Sequence, residues 1–349
     1  MSWGNKIKIS LFGESHGEAI GVVIEGLPAG FKPDLGKAAR MMRRRAPGNF
    51  PWATARKEAD EPRIVSGVFN GAFTGAPLAA LVANANTRSA DYAALAATPR
   101  PGHADYAAGI RYNGANDPRG GGHFSARLTA PLVFAGALAR QILEGAGVSV
   151  TARACEIAGI RDSSAAAPPF DIECKDFPCV DDSAGAAMIA AIAGAFASRD
   201  SVGGVVEAAA VGFPAGIGDP FFNKLDAKIA GLLMALPAVK GVEIGAGFAA
   251  ARSTGSANND QTFYDANGAI ARKTNNAGGI EGGISNGAPI IARAAFKPTP
   301  SISSPQSAVN LIERKTAAME IHGRHDPCVV PRAVPVVEAA LALALLDAM

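Results

Sequence analysis

Histidine gives and takes protons near neutrality, and this chain carries five of them, each in a glycine-rich or charged setting. His16 lies in Gly13-Glu-Ser-His-Gly17, His103 in Arg100-Pro-Gly-His-Ala-Asp105 and His123 in Gly120-Gly-Gly-His123, while His322 and His325 flank Gly323-Arg324 ahead of Asp326. None falls on an apolar helical face. Acid–base chemistry is therefore a plausible use for them, beside the plainer reading of turn histidines bonded to backbone. The stretch Arg119-Gly-Gly-Gly-His-Phe-Ser-Ala-Arg127 stands just before Thr129, where a helix is expected to open. It offers backbone N–H groups, a hydroxyl and two guanidiniums at a positive helix end, a combination that suits a phosphate. No Gly-Lys-Ser or Gly-Lys-Thr follows, so it is not a P-loop. The arginines at 43 to 45 and Arg324 can neutralise further anionic groups, although the first cluster also complements a helix C-terminus.

Two other patterns carry less. Val239 to Ile244 leads into Gly245-Ala-Gly247-Phe-Ala-Ala250, with Asp265 downstream, much as in a dinucleotide fingerprint. Ser253, Gly255, Ser256, Asn258 and Asn259 follow at once, so the helix that would hold a pyrophosphate is missing. Cys155, Cys174, Cys179 and Cys328 form no Cys-x-x-Cys pair, so no metal site is expected and reduced thiols fit a cytoplasmic address.

These residues need a scaffold, and 349 residues at 48% hydrophobic supply one large core or two modest ones. With 33 basic against 31 acidic side chains, the chain has no bulk charge to recruit nucleic acid or an anionic membrane. Met1 to Leu11 alternates lysine with isoleucine and lacks the apolar run of an export signal. Ala339 to Leu346 is wholly apolar but much shorter than the roughly 20 residues that span a bilayer, and reads as a buried core helix.

Alternation predicts strands at Lys6 to Phe12 and Ile20 to Ile24, joined by the Gly13 to Gly17 turn. Asp34 caps a helix with Leu35, Ala38, Ala39 and Met42 on one face, ending at Arg45 before Pro47 and Gly48. Strands follow at Ile64 to Phe69, Leu78 to Val82, Val148 to Ile160 and Gly204 to Val211, with helices over Thr129 to Glu144 and Ser183 to Arg199. The order also repeats. Gly21-Val-Val-Ile-Glu before Gly26-Leu-Pro-Ala-Gly30 returns as Gly204-Val-Val-Glu before Gly212-Phe-Pro-Ala-Gly216, and Val65-x-Gly67-Val-x-x-Gly71 returns as Val239-x-Gly241-Val-x-x-Gly245. One domain over 1–349, made of two related halves at about 6–150 and 151–349, is the expectation.

Gly13-Glu-Ser-His-Gly17, Arg100-Pro-Gly-His-Ala-Asp105, Ser125-Ala-Arg127, Asn276-Ala-Gly-Gly-Ile-Glu-Gly-Gly283 and Gly323-Arg-His-Asp-Pro-Cys328, in this order from about Phe12 to Leu346, resemble the chorismate synthase family. The resemblance implies an α+β fold, a β-α-β sandwich of two pseudo-symmetric halves, commonly assembled as a homotetramer. It implies a lyase that removes phosphate from 5-enolpyruvylshikimate 3-phosphate by 1,4-anti elimination, the last common step of aromatic amino acid biosynthesis through the shikimate pathway. Reduced FMN would be the cofactor, with NADPH only an indirect or external reductant. By the same resemblance the flavin would meet Ser125, Ala126, Arg127, Pro237, Ala238, Gly282, Lys297, Pro298, Thr299, Pro300, Ser301 and Arg324. The substrate anions would meet Arg45, Arg100, Arg127 and Arg324. His16 would serve the leaving phosphate, His103 the N1 and C2-carbonyl edge of the flavin, and Asp326 its N5.

The chain departs from the family pattern at Pro237, where asparagine is common, at Pro51, where an arginine is expected and Arg56 could compensate, and at His123, where arginine is frequent. Two rival classes share parts of this pattern. A flavin- or nicotinamide-dependent oxidoreductase would consume reductant in step with product, and a non-catalytic anion-binding protein would tolerate loss of His16.

Overall fold

The computed structural model describes residues 1–48, 58–85, 97–164, 167–321 and 325–349. The chain opens with β1 (Ser2–Trp3), β2 (Lys8–Gly13) and β3 (Ala19–Glu25), the last two forming the expected hairpin in register Lys8 with Glu25. Helix α1 (Leu35–Arg45) starts where expected, because Asp34 accepts from the amides of Gly36 at 2.7 Å and Lys37 at 3.1 Å. Its buried face is Ala38, Met41, Met42 and Arg45, whereas Leu35, at the first turn beside the cap, is exposed.

Strands β4 (Pro62–Ser66) and β5 (Leu78–Ala83) complete the first sheet, in order β1-β2-β3-β5-β4. The strand expected over Ile64 to Phe69 breaks at Gly67, beyond which Val68 and Phe69 pair with Phe73 and Ala72 in a separate small hairpin. Next come α2 (Asp105–Arg111), α3 (Thr129–Gly145), β6 (Ser149–Ile157), β7 (Ile160–Arg161), α4 (Asp182–Ala197), β8 (Gly204–Val211), α5 (Leu225–Met234), β9 (Val239–Ile244), β10 (Ile290–Phe296) and α6 (Val330–Ala348). A turn at Ala158 and Gly159 splits the single strand expected over Val148 to Ile160 into β6 and β7. After β9 come only a short 3-10 turn, Gly247–Arg252, and a single helical turn, Gly255–Asn258, so the dinucleotide fingerprint has no long helix behind it.

The second sheet runs β9-β10-β8-β6-β7, and all pairings in both sheets are antiparallel among the described residues. The helices fill the space between the sheets: α3 packs on β3 and β5, α6 on β8 and β6, α1 against α3 and α6, and α5 against α6. This is a β-α-β sandwich of the α+β class. Strands β2-β3-β5-β4 and β6-β8-β10-β9 have the same order within their sheets, with α1 and α5 each following the second strand of its set.

Helix α6 is buried on nearly all sides, with Leu341, Leu343 and Leu345 fully buried and its buried Glu338 and Asp347 ion-paired. It extends the expected core helix back to Val330, and Pro331 sits at its start where a missing N–H costs nothing. It crosses α3 closely, since a Cβ on Gly136 would lie 2.2 Å from the Ala339 Cβ. Among the described residues no helix is long and apolar enough to cross a membrane.

Candidate active site

Loops from both halves converge on a cavity of about 400 Å³. Its walls carry the cations Arg45, Arg100, Arg127, Lys240, Lys297 and Arg332 against the carboxylates Glu58 and Asp326, with His103 and His325 beside them. Apolar surface comes from Phe124, Ala126, Pro237, Ala238, Pro300 and Val329.

Each arginine is braced from behind. Arg45, the last residue of α1, gives Nη1 to Asp60 Oδ2 at 2.6 Å, Nε to Thr129 Oγ1 at 3.1 Å and Nη2 to the Ala126 carbonyl at 3.0 Å. Arg127, in the turn that opens α3, pairs through Nη1 with Asp60 and with Glu58 at 2.9 Å, and through Nε with Asn84 Oδ1 at 3.0 Å. Burial pushes the Asp60 carboxyl up, but Arg45 and Arg127 outweigh it and hold the group below the usual carboxylate range. Arg45 in turn is lowered to about 10, chiefly by burial and then by Arg332, and stays charged at neutral pH.

The Arg100 to Asp105 turn makes a second unit. Asp105 accepts from Arg100 Nε at 2.7 Å, Nη2 at 2.8 Å and the backbone amide at 3.1 Å, and meets His103 Nδ1 at 2.5 Å. Burial raises the Asp105 carboxyl, and the bonds from Arg100 and His103 more than reverse this, so it is firmly ionised. An ionised carboxylate on Nδ1 fixes the ring of His103, whose other nitrogen lies 3.3 Å from Arg100 Nη2. Arg100 also donates to Ser301 at 3.2 Å, tying this turn to the loop after β10, where Lys297 Nζ reaches the Gly102 carbonyl at 2.5 Å.

The third unit opens α6. Arg332 holds Asp326 through Nη1 and donates Nε to the Arg45 carbonyl at 3.0 Å. Burial, then the charges of Arg100 and His103, lower His325 to about 4, so it is neutral at pH 7.

His16 does not line the cavity but lies directly behind Gly120, which does. The ring is buried and its Nδ1 is 3.1 Å from Ser15 Oγ, whose hydroxyl donates to the Arg119 carbonyl. Gly120, Gly121 and Gly122 all have positive φ, which lets the loop wrap over His16 at a distance no side chain would allow at Gly120, and tightly over His103 at Gly121. Asn84 closes the His16 turn by donating to the Glu14 and Gly17 carbonyls, both at 2.9 Å.

Of the residues expected at the site, Arg45, Arg100, His103, Ser125, Ala126, Arg127, Pro237, Ala238, Lys297, Thr299, Pro300, Ser301 and Asp326 line one cavity. Pro298 lies within that loop without lining it. Gly282 is not at this cavity: it turns the Ile280–Ser285 hairpin beside α5, and space is open around its Cα. His123 packs on Phe124 and edge-on to Tyr112 instead of facing the cavity. Arg324, His322, Pro51 and Arg56 lie outside the described residues.

The sequence reading missed Glu58, Asp60, Arg332 and Lys240, and did not give Asp105 a role. For Asp105 the signal was present, since it stands two residues from His103 in the same motif. For Glu58 and Asp60 the charge pair itself was the signal, but only folding places it under Arg127.

A flavin fits these walls. The apolar strip accommodates a flat ring, the cations suit a phosphate, and Thr299 Oγ1 is buried without a hydrogen-bond partner among the described residues.

Braced guanidiniums facing a small cavity beside two imidazoles are a site able to hold a compact polyanion next to acid–base groups. Residues 7–349 match the family model described as chorismate synthase. The chain is 46% identical to the chorismate synthase of Thermococcus kodakarensis, over 99% of this chain and 96% of that protein. It is 48% identical to that of Archaeoglobus fulgidus, over 100% and 96% respectively. A crystal structure of chorismate synthase superposes with a TM-score of 0.78 at 29% identity, covering 99% of this chain and 92% of the other. The chain belongs to the chorismate synthase family and is a lyase of the shikimate pathway.

Proposed function

We propose that this cavity binds 5-enolpyruvylshikimate 3-phosphate beside reduced FMN and performs the family's 1,4-anti elimination, breaking the C3–O bond and removing a hydrogen from C6. The observation that carries the reading is the set of arginines held by buried carboxylates around one cavity. A substrate with one phosphate and two carboxylates needs several fixed cations, and guanidinium forks match such groups. Arg45, Arg100 and Arg127 take these anions, with Arg324 expected to join them. Lys297, the backbone of Ser125 and Ala126, the Pro237-Ala238 pair and the hydroxyls of Thr299 and Ser301 seat the flavin. Pro237 offers no side-chain bond, so the flavin there rests on backbone and ring contact.

His16, steadied by Ser15, supplies a proton or hydrogen bond to the phosphate oxygen as the C–O bond breaks. His103, steadied by Asp105, would serve the N1 and C2-carbonyl edge of the flavin, and Asp326 would help N5 accept the C6 hydrogen. When bound, reduced flavin supplies transient electron density that assists phosphate loss, with no net redox change. NADPH then serves only as an outside source of electrons.

The repeated sheet order supports a duplicated half as the origin of this single domain. A homotetramer in the cytoplasm is the assembly and address that fit the family. Fluorescence titration of FMN with the protein, with and without substrate, tests the site. Saturable binding that weakens in Lys297→Ala and Thr299→Ala is expected, and failure of a folded protein to bind FMN under either condition would overturn the assignment.

A further inference from the structure

We propose that Asp60 is a positioning residue for the substrate's anionic groups: one buried carboxylate fixes Arg45 and Arg127 against each other and sets the spacing of the two cations. The inference rests on reading the cavity as the substrate site. The Asp60 side chain has no exposure, and each of its oxygens meets a different cavity arginine, Oδ2 meeting Arg45 at 2.6 Å and Oδ1 meeting Arg127. Asp60 is 15 residues from Arg45 and 67 from Arg127, so neither contact is imposed by local chain geometry. Its backbone has φ of 51°, a left-handed conformation that residues other than glycine rarely take. The two ion pairs stand against that strain.

The remaining tethers complete the brace. A guanidinium has five N–H donors. Arg45 gives one each to Asp60, Thr129 and Ala126, leaving two without an acceptor among the described residues. Arg127 gives one each to Asp60, Asn84 and Ala83, with Nη1 also ion-paired to Glu58, leaving two without an acceptor among the described residues. These spare donors are the ones available to a ligand, and their directions are set by the planes that Asp60 locks.

Asparagine is nearly isosteric with aspartate and tolerates left-handed backbone, so Asp60→Asn keeps shape and removes charge. Its NH2 group would face one guanidinium donor to donor, and that arginine must move. A displacement on the order of 1 Å predicts a fall of about 100-fold in kcat/KM, carried mainly by a higher KM for 5-enolpyruvylshikimate 3-phosphate. A purely structural carboxylate would lower Tm and leave the KM of the folded protein unchanged, and that outcome overturns the proposal. If Asp60→Asn does not fold, Thr129→Val decides. It removes the Nε acceptor of Arg45 and the Thr129 bond to the Ala126 carbonyl, itself an acceptor of Arg45 Nη2, and leaves both Asp60 ion pairs, so a raised KM supports the brace and an unchanged KM overturns it. Absence of chorismate from the unsubstituted chain would instead overturn the reading of the site.

Discussion

Gly120→Ala is the most local perturbation of the proposed acid. At this position φ is +60°, and an added Cβ would stand 2.2 Å from both Cε1 and Nδ1 of His16 and 2.5 Å from Ser15 Oγ. Ordinary contact begins near 3.4 Å, so either the ring or the loop must yield by 3.4 − 2.2 = 1.2 Å. The left-handed backbone adds about 1–2 kcal/mol of its own for alanine. If the ring yields, misplacement of about 1 Å from a productive geometry costs about 100-fold in rate. The control is Gly147→Ala, where φ is +81° but nothing lies within 4 Å of the new Cβ, so it bears the backbone cost without the collision. Both variants should lose Tm, Gly120→Ala the more because of its collision, while steady-state elimination under anaerobic conditions should show kcat falling only in Gly120→Ala. Normal kcat in Gly120→Ala, or equal loss in both, would refute the placement of His16 behind this loop as the basis of its role.

Asp105→Asn weakens the hold on both Arg100 and His103, whose contacts with Asp105 are 2.7 Å and 2.5 Å. Acid–base roles of this kind are worth about 100-fold or more, so kcat should fall by that order, and an unchanged kcat would leave His103 without its assigned function. Glu338→Gln removes the buried partner of Arg44 at 3.0 Å and Arg140 at 2.5 Å, far from the cavity walls. Stability in denaturant should drop by about 3 kcal/mol with KM unchanged. For Asp162, burial raises the carboxyl, but the Ser164 hydroxyl and amide, the Val180 amide and the Cys179 thiol bring it down to about 2 from 3.8. A folded value below the unfolded one means the group stabilises fully above pH 3.8 and loses that contribution as pH falls towards 2. Acid titration of unfolding should therefore show a smaller loss over that window in Asp162→Asn than in the unsubstituted protein.

What could be read in the sequence was what the chain keeps local. Asp34 caps α1 within three residues, and Arg100, His103 and Asp105 form their unit within six positions of the chain. The repeated Gly-Leu-Pro-Ala-Gly and Gly-Phe-Pro-Ala-Gly turns follow β3 and β8, the second strands of their sets. The contacts that hold the site are long-range, and periodicity carries no record of them. Asp60 meets Arg127 across 67 positions, and Arg332 meets the Arg45 carbonyl across 287. Arg332 sits in a stretch with prolines at 331 and 335, which hides the first turns of α6 from a propensity reading. Gly282 lies outside the cavity, since its motif sits on a hairpin that stands away from the cavity of the same chain.

The central claim is elimination without consumption of the flavin. Purified protein, supplied anaerobically with 5-enolpyruvylshikimate 3-phosphate and chemically reduced FMN, should release chorismate and phosphate in equal amounts over many turnovers per flavin, and His16→Ala should abolish this. Folded, flavin-bound protein that forms no chorismate, or that oxidises one flavin for each product, would contradict the account.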